Sequence, residues 1–314
     1  MEDMGRNSAP GCAPTPLPPP HVYPDLAQGI ILLAVFLVVQ VSLGVVLGIA
    51  VAVSGGALSV GDPLTTGATI LISAALAVLW ARWRARKPIE ALIPFRRFRG
   101  LLLLPLVVAV LGYGIVASEV DNATRFVLPL PKFLYELFST LVSGGPASVF
   151  VLAVIVPVVE EVLFRGLVLR GLLAQYRPWK AVLISAAVFT IYHLNPFQFF
   201  TAFGVGLLLG WLFWKTRSLW LCVIGHALYN AQIWFVAKVL DIHIPGYSGT
   251  SVQGAVEFQP PWFDLLGCAL LAAGVAVLAW MLREKEELLD LRPFAVGGGA
   301  CHEVERDGED GGDE

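Results

Sequence analysis

The sequence has 314 residues, of which 57% are hydrophobic and only 14% are charged, and its mean hydropathy is +0.74. This composition excludes a soluble globular enzyme. The 21 Lys and Arg residues are outnumbered by 24 Asp and Glu residues, so the chain has no basic surplus with which to bind a nucleic acid. Its four cysteines show no CxxC spacing, which argues against a disulfide framework or a thiolate metal site.

A proline-rich tail precedes the first apolar stretch. Residues 1–25 contain seven prolines, and we predict that they are disordered. From Leu26 to Gly61 there is no charged residue, and about 20 apolar residues are enough to cross a bilayer as a helix. This stretch is too long for a cleaved signal peptide, so it predicts the first membrane-spanning helix.

The same criterion predicts further spans, which makes the expected fold an all-α, polytopic membrane bundle of about eight helices. The chain then divides into an N-terminal membrane region (26–145), a core (146–240), a loop with the last span (241–282) and an acidic disordered tail (283–314). The apolar spacing over 133–141 predicts a helix on the membrane surface. The further spans are expected at about 64–81, 101–118, 146–170, 179–194, 197–214, 218–237 and 262–282.

The distribution of Lys and Arg predicts the orientation, because these residues favour cytoplasmic loops. Seven of them lie between the second and third predicted spans. If this loop is cytoplasmic, alternation of eight spans places 17 of the 21 basic residues on the same side. The opposite side receives Arg125, Lys132 and Lys238, and Arg165 lies within a span. Both termini are therefore expected in the cytoplasm.

Ionisable side chains interrupt the predicted spans only after residue 146. An ionisable side chain at the bilayer centre costs about 2.5–3.5 kcal/mol even on the lenient insertion scale, so each one suggests a function. Their restriction to the second half of the chain predicts that the functional site lies there. The residues concerned are Glu160, Glu161, Arg165, His193 and His226, together with the polar Asn230.

Helical geometry pairs some of these side chains and separates others. Glu161 and Arg165 are four residues apart, so they share a helix face and can form an ion pair. Glu160 is rotated by ~100° from Glu161, and without that arginine partner it is the candidate general base. His226 and Asn230 are again four residues apart and can act on one target. Counted along their helices at ~1.5 Å per residue, these groups and His193 reach a similar depth, which predicts one site built from three helices.

Three short motifs contain these residues, separated by 33 residues from 160 to 193 and again from 193 to 226. They are EExxxR at 160–165, FxxxH at 189–193 and HxxxN at 226–230. In this order they resemble the motifs of the CAAX protease and bacteriocin-processing (CPBP) family of intramembrane glutamic endopeptidases, to which the type II CAAX prenyl endopeptidases are related. The resemblance covers about 146–240 and implies a multi-pass peptidase of the bacterial plasma membrane.

The resemblance also implies a role for each motif residue. Glu160 and His193 would hold and activate the attacking water, while His226 and Asn230 would donate hydrogen bonds to the oxyanion of the tetrahedral intermediate. No metal or cofactor is implied, and the expected substrate is a membrane-associated protein or peptide, prenylated or not. The sequence indicates no oligomeric state. Supporting positions would be taken by Glu161, Arg165 and Phe189, the last of which would pack beside His193.

Two other classes of function remain open on the sequence alone. Glu160, His193 and His226 could supply a carboxylate and two imidazoles to Zn²⁺, as in a metallopeptidase, although the HExxH motif is missing. The same residues could titrate in a proton-coupled transporter, or pack in a non-catalytic immunity or scaffold protein. Transporters often have paired halves with interrupted helices, whereas the ionisable residues within the spans here are confined to the second half of the chain, which favours an enzyme.

Overall fold

The computed structural model describes residues 22–53, 62–132, 145–248 and 256–283. Over these ranges the chain forms helices and loops without a β-strand, and one isolated bridge joins Phe95 to Ser218. The predicted all-α bundle is confirmed. Its helices are α1 (Leu26–Val53), α2 (Pro63–Ala85), α3 (Ile89–Leu92), α4 (Leu103–Val127), α5 (Gly145–Leu173), α6 (Pro178–Tyr192), α7 (Phe199–Thr216), α8 (Leu219–Val239) and α9 (Pro261–Leu282).

Seven helices in the described ranges are long and apolar enough to cross a membrane. The fifth predicted span, 179–194, is wrong in length, because its helix α6 has 15 residues and is ~22 Å long against a hydrocarbon core of ~30 Å. The helix ends there for local reasons. Leu194 adopts a left-handed φ of 49°, and the proline at 196 disfavours helical geometry in the residue before it. Asn195 then accepts a hydrogen bond from the backbone N–H of Phe197 and starts the next helical turn.

The outward face of α1 carries large apolar side chains that are mostly exposed. Val38, Val46 and Ile49 are each 60% exposed or more. A contiguous apolar surface of this kind is unfavourable in water and suits a lipid environment. The seven long helices and this surface make the chain an integral, multi-pass membrane protein.

Several predicted segments lie outside the described residues. They are the tail up to residue 21, the membrane-surface helix at 133–141 and the acidic tail from residue 284 onward. The described residues just before α1 are held against the end of α5, because the side-chain amide of Gln175 donates to the carbonyl oxygens of Val22 and Pro24 at 3.3 and 3.2 Å.

Helix α5 carries both glutamates of the first motif, and its winding changes along its length. It is π-helical over Val151–Ile155 and again over Val162–Leu169. Pro157 accounts for the first π segment, because a proline inside a regular α-helix clashes with the preceding turn and cannot donate a hydrogen bond. The wider winding is seen in the bond from the N–H of Val156 to the carbonyl of Val151, five residues earlier. Such turns are frequent at functional sites, and the two π segments flank the turn that carries Glu160 and Glu161.

Small residues bring the neighbouring helices close together. A Cβ atom added to Gly274 of α9 would lie 2.7 Å from the Cα of Ala109 in α4, and one added to Gly206 of α7 would lie 3.0 Å from the Cβ of Ala186 in α6. Close backbone approach through small residues is the usual way in which membrane helices associate. The helix pairs α4–α9 and α6–α7 are therefore tightly packed.

Candidate active site

A buried ion pair lies at the centre of the bundle. Nη1 of Arg165 donates to Oε1 of Glu161 at 2.8 Å, and the two side chains are 1% and 0% exposed. Nη2 of Arg165 lies 3.4 Å from the carbonyl oxygen of Gly206 in α7, and the guanidinium lies 4.8 Å from the ring centroid of Phe189 in α6. The pair expected from the i, i+4 spacing is present, and it ties α5 to both α6 and α7.

The same glutamate binds His226 of helix α8. Nδ1 of His226 lies 2.7 Å from Oε1 of Glu161. Because the carboxylate is already bound by Arg165, we assign it as ionised, so the imidazole Nδ1 carries the hydrogen and donates it. This bond fixes the ring of His226 and turns its Nε2 toward the neighbouring carboxylate, Glu160.

Glu160 lies on a different face of α5, as its rotation from Glu161 predicts. Its Oε1 is 3.9 Å from Nε2 of His193, and its Oε2 is 3.7 Å from Nε2 of His226. These separations are too long for direct hydrogen bonds and are of the size that a bridging water fills. The carboxylate thus stands between two imidazoles, and its side chain keeps an exposed fraction of 15%.

His193 follows the last residue of α6, and its orientation is also fixed. Its Nδ1 lies 2.7 Å from the carbonyl oxygen of Phe189. A carbonyl only accepts hydrogen bonds, so Nδ1 carries the hydrogen, and in the neutral ring Nε2 presents a lone pair toward Glu160. The ring of Phe189 packs edge to face against that of His193 with centroids 4.6 Å apart, as the spacing of the second motif implies.

Asn230 makes a contact that the sequence does not indicate. Its Nδ2 donates to the carbonyl oxygen of Leu152 in α5 at 2.8 Å. That carbonyl lacks a normal helical donor, because the N–H of Val156 binds Val151 and Pro157 has no N–H. Asn230 therefore satisfies a backbone carbonyl that the proline leaves unpaired. This carbonyl lies about two helical turns before Glu160.

A cavity of about 150 Å³ opens beside Glu160. Its wall includes residues that sequence reasoning missed, above all Gln40 of α1 and Tyr192 of α6. The signal for Gln40 was available, since it is an amide in the middle of a largely apolar span. The complete lining is Phe36, Gln40, Ile70, Val156, Val159, Glu160, Leu163 and Tyr192.

The described ranges contain no group of three or more His, Cys, Asp and Glu residues with the geometry of a metal site. Glu160 instead has one imidazole near each of its oxygens. The contacts join Glu160, Glu161, Arg165, His193, Phe189 and His226 into one cluster, whereas the contact of Asn230 is with the backbone of α5.

Fold and site together define a class: a multi-pass helical membrane protein with a carboxylate placed between two oriented imidazoles. Residues 143–232 match the family model described as type II CAAX prenyl endopeptidase Rce1-like. Over this segment the chain is similar to the CAAX proteases, and the match supports the resemblance to the CPBP family that the motifs indicated.

Among curated proteins, "Putative membrane peptidase YdiL" of Bacillus subtilis (strain 168) is 23% identical over 93 residues. The aligned region is 30% of this chain and 38% of that relative. No solved structure matches the chain significantly.

Proposed function

We propose that the chain is a membrane-embedded endopeptidase that hydrolyses a peptide bond with a water activated by Glu160. The observation that carries this proposal is the position of the Glu160 carboxylate, 3.9 and 3.7 Å from the Nε2 atoms of two imidazoles whose other nitrogens are already bound. The family match and the peptidase relative support a membrane endopeptidase.

The water binds between Glu160 and His193. It donates one hydrogen bond to Oε1 of the carboxylate and the other to Nε2 of the neutral imidazole, which leaves an oxygen lone pair free. In the chemical step, Glu160 takes one proton, and the oxygen forms a bond to the carbonyl carbon of the scissile peptide. The π electrons of that carbonyl move onto its oxygen and produce a tetrahedral oxyanion.

The oxyanion needs donors where its charge develops, and one such donor is typically worth about 3–4 kcal/mol. His226 and Asn230 are assigned this role. His226 can donate through Nε2 when the ring carries both protons, while its Nδ1 stays bound to the carboxylate of Glu161. The intermediate then collapses, the C–N bond breaks, and Glu160 returns its proton to the leaving amine.

The proposed substrate is a membrane-associated protein or peptide, and the family name points to lipidated, CAAX-like sequences as the first class to test. The proposed location is the bacterial plasma membrane, since the matched peptidase relative is bacterial. An apolar bundle with an internal carboxylate suits a substrate that is already held in the bilayer, because such a peptide reaches the site without crossing the aqueous phase.

The test uses the purified full chain in liposomes with two synthetic peptides of one CAAX-type sequence, one with a farnesylated cysteine and one with a free cysteine. Mass spectrometry would identify any cleaved bond. We expect cleavage by the wild type and a loss of 10³-fold or more with Glu160→Gln, which keeps the shape of the side chain but cannot take a proton. Glu90→Gln, at an exposed glutamate outside the site, is the matched control and should remain active. Near-normal turnover by folded Glu160→Gln would refute the mechanism.

A further inference from the structure

Gln40 has a polar side chain with an atom that lacks a hydrogen-bond partner inside the described part of the bundle. It lies in α1, and its Oε1 is buried without a hydrogen-bond partner among the described residues. A buried polar atom left unpaired costs about 1–3 kcal/mol. A glutamine whose role was only to join two helices would accept a hydrogen bond from a neighbouring helix through this oxygen. Asn230 joins two helices through its own amide, because its amide nitrogen donates to the carbonyl oxygen of Leu152.

The side chain of Gln40 faces the same cavity as Glu160. The rest of the wall is apolar apart from the hydroxyl of Tyr192, and it comes from α1, α2, α5 and α6. An apolar cavity of 150 Å³ is large enough to hold a benzene ring, so this space accommodates one leucine or phenylalanine side chain. The unpaired Oε1 of Gln40 and the apolar space therefore lie beside the carboxylate of Glu160, which is assigned as the general base.

We propose that Gln40 positions the substrate: its side-chain amide binds the backbone of the peptide, and the cavity receives one apolar side chain next to the scissile bond. This inference rests on the proposed peptidase function. A glutamine amide offers an acceptor and a donor, which match the N–H and C=O that an extended peptide presents. Burial of an apolar substrate side chain against the apolar wall of the cavity is favourable.

Three of the eight residues that line this subsite come from outside the matched family segment. Phe36, Gln40 and Ile70 belong to α1 and α2, whereas the family match covers 143–232. Glu160 and the histidines supply the chemistry from within that segment. Helices α1 and α2 are thus assigned a share in substrate selection, whereas α5 and α6 line the cavity and, with α8, also carry the bond-cleaving residues.

The central test compares Gln40→Leu with the wild type in the liposome assay, using the peptide that the wild type cleaves best. Leucine keeps most of the volume and removes the amide. We expect KM to rise about 5- to 20-fold, kcat to stay within about twofold, and the melting temperature to stay equal or increase, because a buried unpaired atom has been removed. Ser42→Ala is the matched control, since its hydroxyl is exposed, lies on the same helix and binds the carbonyl of Val38.

A substrate-side change makes the test independent of the folding of the variant. Replacing one amide at a time by an ester beside the scissile bond removes a single N–H from the peptide. At one position, the ester should raise KM for the wild type about 5- to 20-fold and leave KM for Gln40→Leu unchanged. If no ester position raises KM for the wild type, Gln40 does not bind the backbone.

The size of the cavity gives a third measurement. Ile70→Trp should fill it and shift the preference, among peptides with Ala, Leu or Phe beside the scissile bond, by about 10-fold toward Ala. Absence of cleavage by the wild type would overturn the peptidase function and this inference with it. If cleavage depends on Glu160 but KM is unchanged in Gln40→Leu, only the inference is overturned. The same holds if Gln40→Leu lowers the melting temperature and kcat without raising KM.

Discussion

Nδ1 of His226 donates to Oε1 of Glu161 at 2.7 Å, so only the Nε2 side of this imidazole is available to a substrate. The side-chain nitrogen of an asparagine occupies a position similar to that of Nδ1, while nothing replaces Nε2. We therefore expect His226→Asn to keep the bond to Glu161 and the thermal stability, with turnover lower by about 10²–10³. His226→Ala should lower both turnover and melting temperature. Equal melting temperatures for the two variants would show that the bond to Glu161 does not stabilise the fold.

Asn230 is expected to matter for both structure and rate, because its Nδ2 satisfies the carbonyl of Leu152. Asn230→Ala should reduce turnover by about 10²–10³ with little change in KM, and should also destabilise the bundle by ~1 kcal/mol. Steady-state kinetics and thermal unfolding in detergent measure the two effects. A loss of stability with normal turnover would make Asn230 a helix clamp alone and remove it from the oxyanion role.

Arg165 neutralises a fully buried carboxylate, so its loss should affect folding before chemistry. Arg165→Ala leaves Glu161 without its cation and should destabilise the protein by roughly 3–5 kcal/mol. The double variant Glu161→Gln, Arg165→Met removes both charges and should unfold at a higher temperature than Arg165→Ala. Thermal unfolding of the purified proteins checks this order. The reverse order would mean that the charge of Glu161 is compensated by another group.

The purified protein is expected to hydrolyse its substrate without a bound transition metal, although Glu160, His193 and His226 are chemically able to bind zinc. Metal analysis of active protein tests this prediction. About one zinc ion per chain, loss of activity on chelation and recovery on zinc addition would replace the glutamic mechanism with a metallopeptidase.

The membrane orientation remains a prediction from the Lys and Arg distribution. Single cysteines at Arg96 and Ser139, in a background without the native cysteines, should react with an impermeant reagent from opposite sides of the membrane. Arg96 should be labelled from the cytoplasm. Labelling of both positions from one side would refute the predicted topology.

Sequence reasoning succeeded where the interactions are local. Glu161 and Arg165 are four residues apart on a helix, which places them on one face and predicts their ion pair. Glu160 is one residue from Glu161, which turns its side chain by ~100° and predicts its separate direction. The contact of His193 with Phe189 is also an i, i+4 relationship. These arrangements depend on a single helix, so its periodicity is enough to predict them.

Interactions between helices were harder to predict from the sequence. The bond from His226 to Glu161 requires that α8 packs beside α5, and the bond from Asn230 to Leu152 depends on a π-helical turn forced by Pro157. Neither neighbour relationship is encoded in a spacing within one segment. Gln40 was overlooked because its importance comes from the cavity that it shares with residues more than a hundred positions away.

The early end of α6 has a consequence for how the site is supplied. A helix satisfies its own backbone, but the residues after Tyr192 leave helical geometry after a helix of 15 residues, a depth of ~22 Å against a hydrocarbon core of ~30 Å. Exposed backbone at that depth is stable only where protein covers it or water wets it. Hydrolysis of a peptide bond would consume one water molecule, and we expect solvent to reach the apolar interior at this interruption next to His193.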